Sequence, residues 1–201
     1  VKWGGKKTYE LYQQLADLTR LNAETRDGRP SVDLVIWPES AVPVPLYAMA
    51  DHPQYFNDIL SLGDFSLLTG AEVQLPDEPM NTSAVLMHGK FENMRHYDKV
   101  HLVPFGEFLP FRDTFPFSLL KGVLPGDFVP GKSTEPLKLE KPAVSIIPLI
   151  CFEDTVGRLA RKFFRAEPQL IVNLLNDGWL LQSADTDLNT PKPLLPPLRL
   201  R

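Results

Sequence analysis

Cys151 is the single cysteine of a 201-residue sequence, and it stands where a nucleophile gains most. It lies in Ile150-Cys151-Phe152-Glu153-Asp154, between the most hydrophobic run of the chain and a helical pattern. A strand-to-helix elbow holds a nucleophile at a sheet edge, with backbone N–H groups nearby to receive an oxyanion. The N-terminus of the following helix would favour the thiolate. The alternative is a small apolar filler, because cysteine is among the most buried residue types. A thiol with a reference pKa of about 8.5 needs a base or an electropositive setting to react well at neutral pH. His52, His88, His96 and His101 lie in no context that resembles a cysteine-protease signature. A carboxylate base with a lysine beside it is the other option.

Two residues offer that chemistry. Glu39 directly follows the short apolar run Asp33 to Trp37, which Pro38 stops, so its carboxylate falls at a sheet edge. Lys99 follows Phe91 to Tyr97 in the same manner. Taken singly, Glu39 reads equally as an ordinary solvated loop glutamate, and Lys99 reads more readily as a surface lysine, since lysine is mostly exposed. The coincidence carries the case: three complementary polar groups each emerge after a hydrophobic strand, which is how a layered α/β fold converges them.

The elements that must position these groups follow from periodicity. Thr8 can cap a helix with Leu11, Leu15 and Leu18 at helical spacing, ending near Asn22. Pro53 suits the first turn of a second helix, reaching about Leu62. Ser66 to Val73, Thr82 to Met87 and Phe91 to Tyr97 read as strands, the last two joined as a hairpin through His88-Gly89-Lys90. From Lys99 to Lys141 regular pattern dissolves into Pro/Gly-rich sequence, and a stretch that long is usually functional. Ala143 to Ile150 resumes as a strand. Asp154 or Thr155 opens a helix with Val156, Leu159, Ala160, Phe163 and Phe164 on one face, and Leu170 to Leu174 forms a final strand. Strands alternating with helices predict an α/β layered fold.

Composition narrows the function. The chain is 43% hydrophobic and 23% charged, enough for one domain with a core. A formal charge of −4 argues against nucleic-acid binding, which needs a basic face. One cysteine permits no internal disulfide. The longest apolar run, Ala143 to Phe152, falls far short of the roughly 20 residues that span a bilayer. Proline is abundant at 20 residues, and those between Pro104 and Pro142 and between Pro168 and Pro197 mark loop-rich stretches.

Four segments carry a family resemblance. Trp37-Pro38-Glu39-Ser40-Ala41 resembles the glutamate segment of the nitrilase (carbon-nitrogen hydrolase) superfamily, whose members use a glutamate, a lysine and a cysteine in that chain order. Tyr97-Asp98-Lys99-Val100-His101-Leu102-Val103-Pro104-Phe105-Gly106-Glu107 resembles its lysine segment, in the form found in the apolipoprotein N-acyltransferase branch. Ile150-Cys151-Phe152-Glu153 is similar to the cysteine segment, and Asn176-Asp177-Gly178-Trp179 to the motif on the next strand.

The resemblance implies a nitrilase-like α-β-β-α layered sandwich. It implies transfer of an acyl chain from a phospholipid, through a thioester on Cys151, to the N-terminal amine of a diacylglyceryl lipoprotein. Glu39, Lys99 and Cys151 would be catalytic, with an oxyanion held by Lys99 and the backbone N–H of Phe152. Glu107 and Glu153 would support them, against the plainer roles of loop cap and helix N-terminal carboxylate. Phe152 and Trp179 match aromatics of the site, Trp179 near the acyl pocket, with core filling as the alternative. No cofactor and no metal are implied. The location implied is the bacterial inner membrane, with the catalytic domain on the periplasmic face.

The match covers about residues 9 to 183. Because the family has membrane helices and an opening strand before this region and further strands after it, the chain is expected to be incomplete at both ends. Residues 1–183 would be a partial domain, and 184–201 an unrecognised Pro-rich tail. A soluble nitrilase-type amidohydrolase, with water replacing the amine, and an inactive fragment are the competing expectations.

Overall fold

The computed structural model describes residues 5–23, 32–42, 44–74, 80–110 and 128–176. In chain order these form α1 (Gly5–Ala23), β1 (Leu34–Ile36), α2 (His52–Leu60), β2 (Ser66–Val73), β3 (Asn81–His88), β4 (Lys90–Asp98), β5 (Leu137–Leu139) and β6 (Val144–Ile150). A 3₁₀ turn (Cys151–Thr155), α3 (Gly157–Phe163) and β7 (Gln169–Leu174) complete them. One sheet has the order β1-β2-β3-β4 and the other β5-β6-β7. β1 runs parallel to β2, and β6 to β7, while β2-β3-β4 is an antiparallel meander.

Side-chain alternation explains the layering, since successive residues of a strand face opposite sides. Leu67, Ala71 and Val73 of β2 and Val85 and Met87 of β3 pack with Tyr12 and Ala16 of α1 and Phe56 and Ile59 of α2. Their neighbours Leu68, Ala84 and Leu86 turn the other way, against Ile146, Ile147 and Leu149 of β6. Leu159 and Phe163 of α3 close that second core. The order is therefore helix, sheet, sheet, helix. Because both faces of β2 and β3 are covered, their sequences are apolar almost throughout rather than alternating.

Several expectations need correction. α1 starts at Gly5, before Thr8, and its buried stripe is Tyr12, Ala16, Thr19 and Ala23, with Leu18 exposed. Small residues on that stripe let the helix lie close to the sheet, and Thr19 accepts a hydrogen bond from the Trp37 indole at 3.0 Å. The helix after Cys151 is interrupted. A 3₁₀ turn comes first and α3 begins only at Gly157, leaving Phe164 outside it and exposed. β5 falls within the stretch read as irregular, pairing antiparallel with β6 through Leu137↔Ile146 and Leu139↔Val144. Trp179, the boundary at residue 183 and the segment 184–201 lie outside the described residues.

Candidate active site

Three strand ends converge at one edge of the sandwich. Pro38 follows β1 and accepts hydrogen bonds from the N–H groups of Gly70 (3.2 Å) and Ala41 (3.3 Å), which fixes the turn that carries Glu39. Ser40 completes the turn at φ 51°. Gly70 of β2 must be glycine here, since a Cβ at that position would lie 2.5 Å from the Glu39 Cα. Buried Trp37 ties the same strand end to α1.

Lys99 follows β4. Its N–H donates to the Thr82 carbonyl and its carbonyl accepts from the Gly131 N–H, both at 2.8 Å. Gly131 packs so tightly that a Cβ would meet the Asp98 carbonyl oxygen at 2.2 Å. Lys99 is only 1% exposed. A buried ammonium needs counter-charges, and it has two. Its Nζ donates to Glu107 Oε1 at 2.6 Å and lies 3.8 Å from Glu39 Oε1. Glu107 is held in turn by the Val103 N–H, which donates to Oε2 at 2.8 Å. It therefore serves as a loop cap and as a lysine partner together.

Cys151 is half-buried and adopts φ 53° at the end of β6. Its thiol faces the charges of Glu39 and Lys99, which act on it in opposite directions. Burial, and then the charge of Glu39, push the thiol above its ordinary value, with Lys99 opposing them. The expected thiolate-favouring helix terminus is thus overridden: a five-residue 3₁₀ turn supplies little dipole, and burial beside a carboxylate dominates. Burial also raises the Glu39 carboxyl, against the pull of Lys99.

Glu153 lies beneath this set, with no exposed surface. Its Oε1 accepts from the Tyr97 hydroxyl (2.9 Å) and from the N–H groups of Val100 (2.8 Å) and His101 (2.9 Å). Its Oε2 accepts from the Ile150 N–H at 3.0 Å. One carboxylate therefore staples the loop carrying Lys99 to the strand end carrying Cys151. Phe152 is 53% exposed, which excludes the core-filling alternative for it. Of the histidines, His52 is buried between Tyr12 and the Leu46 carbonyl, within the first core. Among the described residues no group of three or more histidine, cysteine or acidic side chains could hold a metal ion.

Sequence reasoning from the residues alone missed Gly70, Gly131 and Asn173, whose amide donates to the Cys151 carbonyl at 3.3 Å. Nothing local marks them, because their partners lie far away in the chain.

Comparison with known proteins places the fold. A carbon–nitrogen hydrolase superfamily protein from Xanthomonas campestris superposes with TM-score 0.57 at 15% identity, over 86% of this chain and 62% of that one. An amidase of the nitrilase superfamily from Nesterenkonia superposes with TM-score 0.55 at 15% identity, over 83% and 60%. The fold is that of the carbon–nitrogen hydrolases.

Sequence comparison finds apolipoprotein N-acyltransferases. Apolipoprotein N-acyltransferase of Geobacter metallireducens is 34% identical over 196 residues, covering 92% of this chain and 35% of its own length. That of Bradyrhizobium diazoefficiens is 36% identical over 184 residues, covering 86% and 33%. The chain is a homologue of the apolipoprotein N-acyltransferases, and it spans about a third of the length of the relatives it matches. No protein-family model matches it. No helix among the described residues is long and apolar enough to cross a membrane.

Proposed function

We propose that this chain carries the acyl-transfer centre of an apolipoprotein N-acyltransferase, with Cys151 as nucleophile, Glu39 as general base and Lys99 as electrostatic stabiliser. The observation that supports it is the convergence of an acid, an ammonium and a thiol from three separate strand ends. Because the thiol sits above its ordinary value, the resting sulfur keeps its proton and gives it to Glu39 as it attacks. Sγ bonds to the carbonyl carbon of a phospholipid ester, and the resulting oxyanion is received by Lys99 and the Phe152 N–H. The C–O bond then breaks, and Glu39 returns the proton to the leaving glycerol oxygen. This leaves a thioester and a lysophospholipid. The N-terminal amine of a diacylglyceryl lipoprotein next attacks the thioester, and its proton passes through Glu39 to the departing sulfur. Glu107 and Glu153 hold Lys99 and the two loops in place. Trp179 is the proposed acyl-pocket residue. The site would work at the periplasmic face of the bacterial inner membrane, where both substrates reside.

Intact-mass spectrometry after incubation with phosphatidylethanolamine vesicles tests this. A fatty-acyl adduct on Cys151, lost in Cys151→Ala and discharged by an amine faster than by water, is the expected result. Turnover of simple amides without such an adduct would assign the chain to the amidohydrolases instead. Absence of both would leave it without catalytic activity.

A further inference from the structure

The peptide that joins Cys151 to Phe152 is gripped from outside the site described above. β7 lies parallel to β6, with Asn173 in register with Leu149, and the Asn173 Nδ2–H donates to the Cys151 carbonyl at 3.3 Å. Its Oδ1 is, among the described residues, the one buried side-chain nitrogen or oxygen with no hydrogen-bond partner. An orphaned buried carbonyl lowers stability, and an apolar side chain of the same shape would remove that penalty. Asparagine is therefore a poor choice for the fold alone, and its one used group touches the nucleophile's backbone.

Cys151 itself holds φ 53°, a left-handed conformation that a residue with a Cβ keeps only when its surroundings impose it. In a trans peptide the carbonyl and the following N–H point in opposite directions. Pinning the Cys151 carbonyl toward β7 therefore aims the Phe152 N–H away from β7.

We propose that Asn173 is a positioning residue, setting the orientation of the Cys151–Phe152 peptide and thereby aiming the N–H that receives the oxyanion. This rests on the acyl-transfer centre proposed above. Without the clamp the peptide is free to rotate, and the oxyanion loses a donor while the sulfur keeps its place. Attack that builds an oxyanion then suffers, whereas simple displacement at carbon does not.

Two reactions of the full chain separate these effects: single-turnover acylation of Cys151 by p-nitrophenyl acetate, and alkylation by iodoacetamide, each followed across pH. In Asn173→Leu the acylation plateau is expected to fall by about tenfold to a hundredfold, as for loss of an oxyanion donor. The alkylation plateau stays within about twofold, because displacement at carbon builds no oxyanion. Asn173→Asp, ionised and unable to donate, gives the same acylation loss and serves if the leucine variant does not fold. Equal loss in both reactions, or no loss in either, overturns the proposal. Failure of both variants to fold overturns it too, since the side chain would then serve the fold as a whole. An unsubstituted chain that alkylates but never acylates would overturn the acyl-transfer centre itself, and the role of Asn173 with it.

Discussion

Replacing Glu153 by glutamine tests whether one buried carboxylate holds the lysine loop and the cysteine elbow together. The best amide orientation keeps oxygen where Oε1 takes three donors, from Tyr97, Val100 and His101. The NH₂ then faces the Ile150 N–H, a donor that has lost its acceptor. Weakening three charge-assisted bonds to neutral ones costs about 1 kcal/mol each, and the orphaned N–H about 1–3 kcal/mol more. Glutamine also removes a buried charge, an offset whose sign is given by the raised carboxyl of Glu153. Because burial of the charge outweighs those bonds, the balance is set by the orphaned N–H, about 1–3 kcal/mol, against the roughly 5–15 kcal/mol that typically holds a domain together. In thermal unfolding at pH 7 this corresponds to a fall of roughly 2–12 °C in Tm. The gap should widen as pH falls from 7 toward 5, because the raised carboxyl takes up its proton in the folded chain first, a stabilisation that glutamine lacks. A variant at least as stable as the unsubstituted chain at pH 7 would refute the stapling role.

Three further outcomes follow from the same geometry. Glu107→Gln removes a negative charge that raises both Glu39 and Cys151, so the midpoint of Cys151 alkylation against pH should move down; an upward move would mean that the loss of Lys99 anchoring dominates. Gly70→Ala forces a Cβ to within 2.5 Å of the Glu39 Cα and 2.9 Å of the Pro38 oxygen. It should cost about 1–3 kcal/mol in urea unfolding, with a matching loss of Cys151 acylation. Glu39, Glu72 and Glu153 all have carboxyls raised above 4.5 by burial. The folded chain therefore binds more protons than the unfolded one above that value, and their contribution to stability grows as pH falls from 7 toward 5. Glu72→Gln should flatten that slope in a pH series of Tm values, and an unchanged slope would remove Glu72 from the account.

Strands whose signal is local were legible in the sequence. Ser66–Val73 has the predicted bounds, and β3 and β4 differ from theirs by one residue at each end, because apolar content and a glycine turn suffice to define them. β5 escaped because three residues, Leu137–Leu139, carry too little pattern to stand out from proline-rich surroundings. The stripe of α1 was misplaced toward its leucines because close approach to the sheet rewards Ala16 and Ala23, which hydropathy alone ranks lower. At the elbow, Asp154 and Thr155 mimic a helix start, yet Glu153 reaches back to the Ile150 N–H and the chain tightens into a 3₁₀ turn. Glu39, Lys99 and Cys151 could be selected because each follows a strand. Glu107 and Glu153 were singled out only through the family pattern. Gly70, Gly131 and Asn173 act on backbone from other strands and loops, so only the folded chain reveals them.

The ammonium set between two carboxylates has a consequence for how charge moves during catalysis. With the thiol protonated, Lys99, Glu39 and Glu107 sum to one negative charge. In the proposed tetrahedral intermediate Glu39 is neutral and the oxyanion bears that same unit, so the cluster's total is constant. The reaction shifts charge across a few ångströms inside a fixed frame and does not create it. Little solvent needs to reorient, and the chemical step should respond only weakly to added salt.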